Sequence, residues 1–430
     1  MNDHSGTTRV ERRNPWLWVP STYFAEGVPY VLIIFVSVIM YKRLEISNEA
    51  IALYTGWLYL PFVIKPLWSP FVEMFRTKRF WILATELILG AGFASLAFTL
   101  QTDLFFEASL ALFWILAFSA ATQDVAVDGF YMLGLEKHLQ AFFVGIRSTF
   151  FRVAMITGQG LLVMFAGMLE EQTDNIPAAW TVTFFVTAGL FGALFLYHFF
   201  VLPYPRDDKP AMRQGSFVAD FTGMFAAYFR KPGIWIALSF LLLYRFSKSQ
   251  IVKIVPLFQI DSVEYGGLGL ATSEVGLLNT VAIISMLIAG ILGGIVVSRQ
   301  GLKYWKWWFV GAINVPHLLY VYLAVAQPGE LWIVAAVEAV VNFGYGFGFA
   351  GYVVYMLYVA EGEFKTAHYA LCAGFMAMGM MVPGMFTGWL QMKIGYEMFF
   401  WWTAAATIPS FLVTGLINVD PGFGRKDPSR

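Results

Sequence analysis

Cysteine is nearly missing from this chain: Cys372 is alone in 430 residues, which excludes an internal disulfide and a cysteine metal cluster. The five histidines, at 4, 138, 198, 317 and 368, show no metal-ligand spacing, so no metal and no other cofactor is expected. Charge is scarce as well. Only 13% of the residues are charged, and 28 basic side chains offset 28 acidic ones, leaving no excess of one sign to attract nucleic acid. The composition is instead 58% hydrophobic and 18% aromatic, with a mean hydropathy of +0.65. That balance excludes a soluble globular protein and a disordered one alike, and marks an all-α, polytopic membrane protein whose first partner is the lipid bilayer.

Twelve apolar windows are long enough to cross roughly 30 Å of hydrocarbon. They cover approximately 16–41, 50–67, 80–100, 105–133, 141–168, 180–202, 234–258, 273–297, 305–326, 331–359, 367–392 and 397–417. The first follows Arg9, Arg12 and Arg13 but holds Glu26 and is too long for a signal core, so it reads as a span rather than a removed leader. The longest polar connection, 203–233, carries Pro203, Pro205, Pro210 and Pro232 and divides the chain into six-span halves, 1–202 and 234–430. Within it, Phe217, Phe221, Met224, Phe225 and Phe229 recur at helical spacing, which fits a short interfacial helix or a plain linker. Nineteen Lys and Arg lie on the side of the termini and three (Lys42, Arg43 and Lys393) on the other, which predicts cytoplasmic termini. Trp16, Trp18, Trp180, the Trp305 to Trp308 cluster, Trp401 and Trp402 flank spans and are expected in interfacial belts.

Charges inside the spans are few and need a reason, because an ionised side chain at mid-membrane costs several kcal/mol. Asp124 and Asp128 are one turn apart on the same side of span 4, with Gln123 beside them, and span 5 carries Arg147 and Arg152. In an antiparallel hairpin, residues at equal depth have a constant sum of numbers. Asp128 with Arg147 gives 275 and Asp124 with Arg152 gives 276, so these pairs are expected to meet. Glu26, in a stretch of span 1 loosened by Gly27 and Pro29, either joins this site or only pairs with a span 5 arginine. Span 7 holds Arg245, Lys248 and Lys253 and no acid; Arg245 and Lys248 suit an anionic substrate, while Lys253 is expected to reach out to the membrane surface. Glu338 and Asn342 form a polar stripe on span 10 and complete the substrate-binding candidates. Lys65 and Glu86 lie near span ends, where anchoring accounts for them. Gly346-Phe-Gly348-Phe-Ala-Gly351 fits a dinucleotide fingerprint by letter but lies inside an apolar span with no strand before it, so helix packing is the better reading.

Ser69, Glu73, Arg76 and Lys78 after span 2, and Gly294, Ser298, Arg299 and Gly301 after span 8, repeat one pattern: a small residue, three apolar, a polar one, then a basic turn. Both copies resemble the G-x-x-x-D-R-x-G-R-R loop of the major facilitator superfamily, with Ser69 for Gly, and Glu73 and Ser298 for Asp. The resemblance implies the major facilitator fold of two pseudo-symmetric six-helix halves with gating loops at these residues. Pro66-Leu-Trp-Ser-Pro70, Thr122-Gln-Asp-Val-Ala-Val-Asp128 and the run from Tyr369 to Trp389 further resemble the muropeptide permease, or AmpG-like, family, related to the acetyl-coenzyme A transporters. That family implies proton-driven import of anhydro-muropeptides across the bacterial inner membrane for cell-wall recycling, with Asp124 and Asp128 as coupling acids joined by Glu26. A coenzyme A thioester or another organic anion is the alternative cargo. An enzyme and a receptor are the rival classes. No nucleophile with a base argues for the first, and the two-half repeat favours a transporter, expected as a monomer with protons and a small anionic molecule as its partners.

Overall fold

The structure, a computed structural model, describes residues 13–135, 137–205, 208–209, 223, 225–362 and 365–424. All regular elements among them are helical, and they make twelve crossings. In the first half these are α1 (Pro15–Arg43), α2 (Asn48–Trp57 and Leu60–Phe75), α3 (Lys78–Thr99), α4 (Phe105–Gly134), α5 (Lys137–Met155, continuing to Thr173) and α6 (Ile176–Val201). In the second half they are α7 (Ile234–Leu243 and Phe246–Ile260), α8 (Thr272–Gln300), α9 (Leu302–Ala326), α10 (Leu331–Ala360), α11 (Lys365–Met385 and 387–394) and α12 (396–405 and Ile408–Leu416). Gly395, at φ 76°, makes the turn between α11 and α12, a left-handed conformation that favours glycine. Span 2 runs further toward the terminal face than hydropathy suggests, since Glu73 and Pro70 interrupt the apolar window but not the helix. The side chain of Glu73 and most of the expected 217–229 helix lie outside the described residues.

Local chemistry sets the helix ends. Thr77 Oγ accepts from the Phe80 N–H at 3.1 Å and Asn175 Oδ1 from the Ala178 N–H at 3.0 Å, satisfying donors that a helix start leaves unpaired. Gly301, at φ 85°, closes α8 on the second of the two repeated loops. Both α1 and α5 widen into a π-type turn, at Leu32–Val36 and Ile156–Leu162, and these meet where a Cβ on Gly158 would lie 2.7 Å from Val31. Such turns recur at functional sites because they release carbonyls from the helical ladder.

The hydrophobic core is unevenly shared. One buried cluster joins both halves on the face opposite the termini, running from Val28–Tyr41 through Trp180 and Phe258 to Phe400. Toward the terminal face it gives way to two separate cores, one per half: Trp18, Phe130 and Phe143 in the first, Tyr228, Phe309 and Tyr352 in the second. The halves therefore touch at one end and part at the other. Glycines allow the closest approach: a Cβ on Gly276 of α8 would lie 2.5 Å from the backbone of Met164 in α5, and one on Gly388 of α11 would lie 1.9 Å from the Asn48 carbonyl of α2. The Gly346, Gly348 and Gly351 run does the same within the second half, against Met286, Phe309 and Ile313, which agrees with packing rather than nucleotide binding. The belt expectation fails for Trp18 and Trp180. Both are buried, and the Trp180 indole donates to Glu170 at 2.8 Å.

Because nothing at the α5–α8 crossing can yield except backbone, Gly276→Val should cost about 1 to 3 kcal/mol by overpacking. A lowered melting temperature in detergent, with no matching loss for Gly294→Val, whose added Cβ would meet open space, checks this.

Candidate functional site

A cavity of about 550 Å³ lies between the halves and is lined by α1, α2, α4 and α5 on one side and α7, α8, α10 and α11 on the other. Its far end is closed by polar contacts across the halves. Lys42 pairs with Asp261; the Asn48 amide donates to Gln391 at 2.8 Å and to Tyr396 at 3.0 Å; Thr272 donates to Glu170 at 2.7 Å, and Glu170 also holds Arg43 at 2.9 Å.

On the first half's wall the acids and bases interlock. Asp128 and Arg147 form an ion pair at 3.0 Å, as matched depth in the hairpin requires. Tyr23, three residues and so one turn before Glu26, donates its hydroxyl to Asp128 at 2.8 Å and lies under the Arg147 guanidinium, 5.3 Å from its ring centre. The Asp128 side chain is 47% exposed into the cavity, so protons in the cavity water can reach it. Asp124 does not meet Arg152. It pairs with Lys65 of α2, because α2 passes closer to this side of α4 than the far part of α5 does, and Lys65 turns inward rather than toward the membrane surface. Glu26 takes neither arginine; it lines the cavity together with Asp124 and Asp128. Arg152 lines the cavity without an ion-pair partner among the described residues.

The second wall is cationic and aromatic. α7 breaks at Tyr244 and Arg245, and the Arg245 guanidinium lies 5.2 Å from the ring centre of Tyr345, 5.0 Å from Phe349 and 6.0 Å from Tyr352. It donates to the Tyr345 hydroxyl, its Nε has no partner, and the residue is 8% exposed. Lys248 donates to the Asn342 carbonyl oxygen at 3.3 Å, and the Asn342 amide donates to Glu338 at 2.9 Å, so lysine and carboxylate are linked through an amide without touching. Gln259 and Tyr320 fill the remaining acceptor sites of Glu338, at 2.8 and 3.1 Å.

Two further residues stand elsewhere than expected. Gln123 is fully buried and absent from the cavity lining, since one residue's offset turns it about 100° from Asp124. Lys253 does not reach for the membrane surface: at 3% exposure it donates to the Thr55 hydroxyl at 2.9 Å and to the Ile34 carbonyl, in the widened turn of α1, at 3.3 Å. Glu86 does anchor structure, in a buried pair with His198 at 2.6 Å. Of the loop candidates, Arg76 and Arg299 are exposed, the Arg76 guanidinium stacks 5.5 Å from Phe80, and the Lys78 N–H donates to Asp208 of the central connection. Sequence reasoning missed Lys65 as a site residue, although a lysine within an apolar run was a signal. It also missed Tyr23 and the Tyr345, Phe349 and Tyr352 cradle, which nothing short of the fold singles out.

The Lys65 and Asp124 pairing is open to a double-mutant test. Lys65→Met leaves a buried carboxylate uncompensated, at about 3 to 5 kcal/mol for a broken buried pair, whereas adding Asp124→Asn removes the orphan charge. Thermal unfolding should find the double variant more stable than Lys65→Met alone; equal or lower stability would discard the pair.

The Major Facilitator Superfamily sequence profile matches residues 21–370. An uncharacterized protein of Haemophilus influenzae is 25% identical over 409 residues, 91% of each chain. The anhydromuropeptide permease of Escherichia coli is 24% identical over 364 residues, 82% of this chain and 69% of that one. Among solved structures, a mutant of the nucleoside transporter NupG superposes with a TM-score of 0.71 at 15% identity, covering 94% of this chain and all of the other.

Proposed function

Since the chain belongs to the Major Facilitator Superfamily, and is thus a multi-pass membrane transporter, we propose that it couples proton entry to the import of anhydro-muropeptides by alternating access. In this reading the halves 1–202 and 234–430 rock about the cavity, the termini are cytoplasmic, and the cavity faces the cytoplasm of a bacterial inner membrane. The observation that carries the proposal is the division of labour across the cavity. One wall holds three acids, two of them paired with bases; the other holds two cations with no carboxylate in contact among the described residues.

The acids do the coupling. With one proton held in the cluster of Glu26, Asp124 and Asp128, and Lys65 and Arg147 offsetting the remaining charge, the first half can occupy a dry, closed state at low electrostatic cost. Loss of that proton into the cytoplasm leaves three carboxylates against two cations, a state that favours a water-filled cavity. A proton falling through roughly 150 mV releases about 3.5 kcal/mol, enough for roughly a 300-fold gradient of cargo at one proton per molecule.

Arg245 binds the cargo's anionic end. Its guanidinium is held flat by aromatic rings with Nε unspent, which suits two-point contact with a carboxylate, and Arg152 faces the same cavity from the other half. The rings beside it offer apolar faces to a sugar. Likeness to the Escherichia coli permease supports muropeptide cargo. A coenzyme A thioester or another organic anion is the second reading, favoured by the number of cations that have no acid, Arg152, Arg245 and Lys248.

Two measurements in proteoliposomes separate the roles. Asp124→Asn with Asp128→Asn should abolish uptake against a gradient while leaving exchange of labelled anhydro-muropeptide at equal pH measurable; continued accumulation under a pH gradient would refute coupling here. Arg245→Gln should weaken binding by about 1.5 to 3 kcal/mol, the loss of one charge-assisted hydrogen bond, with accumulation at saturating cargo retained. Unchanged affinity in Arg245→Gln with Lys248→Gln would refute an anionic cargo.

A further inference from the structure

We propose that a groove on the outer flank of the first half, between α3 and α6 and apart from the transport cavity, binds one phospholipid with an anionic headgroup. The groove has a volume of about 530 Å³, and Arg79, Phe80, Ala84, Leu87, Phe199 and Tyr204 carry the argument. Phe80, Ala84 and Leu87 recur at i, i+4 and i+7 and so form one apolar stripe along α3, reaching about 12 Å inward from Arg79. Phe80 is 47% exposed, Leu87 56% and Phe199 49%, an apolar trough that a bilayer fills with acyl chain.

The mouth of the trough is cationic. The Arg79 guanidinium lies 4.1 Å from the ring centre of Tyr204 and donates through Nη2 to the Phe199 carbonyl at 2.6 Å, while its buried Nε has no acceptor. Asp208, the acid among the lining residues described, has both oxygens committed to the N–H groups of Lys78 and Arg79, at 2.6 and 3.0 Å. A phosphate at the mouth therefore meets the Arg79 guanidinium, whose neighbouring acid has its oxygens turned to backbone N–H groups. Soluble phosphate would leave the apolar stripe unused, and a zwitterionic lipid would bring its own cation against Arg79. A net-anionic phospholipid satisfies both parts.

Native mass spectrometry of the detergent-solubilised full chain, offered equal amounts of phosphatidylglycerol and phosphatidylcholine, tests this. The wild type should retain phosphatidylglycerol with about fivefold preference, the effect of roughly one surface arginine. Arg79→Gln should bring the ratio close to one while total bound lipid stays, and Ala84→Trp, which fills the trough, should reduce both lipids together. Size-exclusion profiles and melting temperatures establish that each variant is folded. Equal binding of the two lipids by the wild type overturns the proposal without any variant. So does a preference that survives Arg79→Gln, or phosphatidylglycerol that stays bound in Ala84→Trp.

Discussion

An ionised group taken out of water must find a partner or keep a path to solvent, and that constraint governs where the charges inside the membrane spans of this protein sit. The first half answers it by pairing: Asp128 with Arg147 and Tyr23, Asp124 with Lys65, Glu86 with His198. Elsewhere the answer is neutral groups: rings under Arg245, an amide between Lys248 and Glu338, a hydroxyl and a carbonyl on Lys253. A pair can be loosened by one proton, whereas rings and amides do not titrate in the working range. The two walls of the cavity thus differ in what can switch them.

The same constraint explains the seal at the far end. Backbones crossing at Gly276 and Gly388 leave no room for water, so the polar groups there close their hydrogen bonds on one another, Asn48 with Gln391 and Tyr396, Glu170 with Thr272 and Trp180. Lys253 belongs to this seal. Its amine finds acceptors in the Ile34 carbonyl and the Thr55 hydroxyl, with no ion-pair partner among the described residues. A joint core at one end and divided cores at the other give the halves a fulcrum. The paired π-type turns of α1 and α5 lie at that fulcrum and supply the Ile34 carbonyl that Lys253 uses.

Twelve crossings, the six-plus-six division and an acidic site on span 4 were legible from the sequence, because hydropathy, helical period and the cost of charge in hydrocarbon act residue by residue. The Asp128 and Arg147 pair was legible for a related reason: adjacent spans in a hairpin share depth by arithmetic alone. Depth is not direction, however. Asp124 and Arg152 match in depth, yet α2 brings Lys65 to Asp124 first, and that packing depends on helices distant in sequence. Lys253 shows the same limit, since its place near a span end suggested solvent while the opposite half covers it. Sequence by itself determined which groups could not face lipid; only the tertiary structure decided which partner each one found, because partners are set by how twelve helices pack around one cavity rather than by position along any one of them.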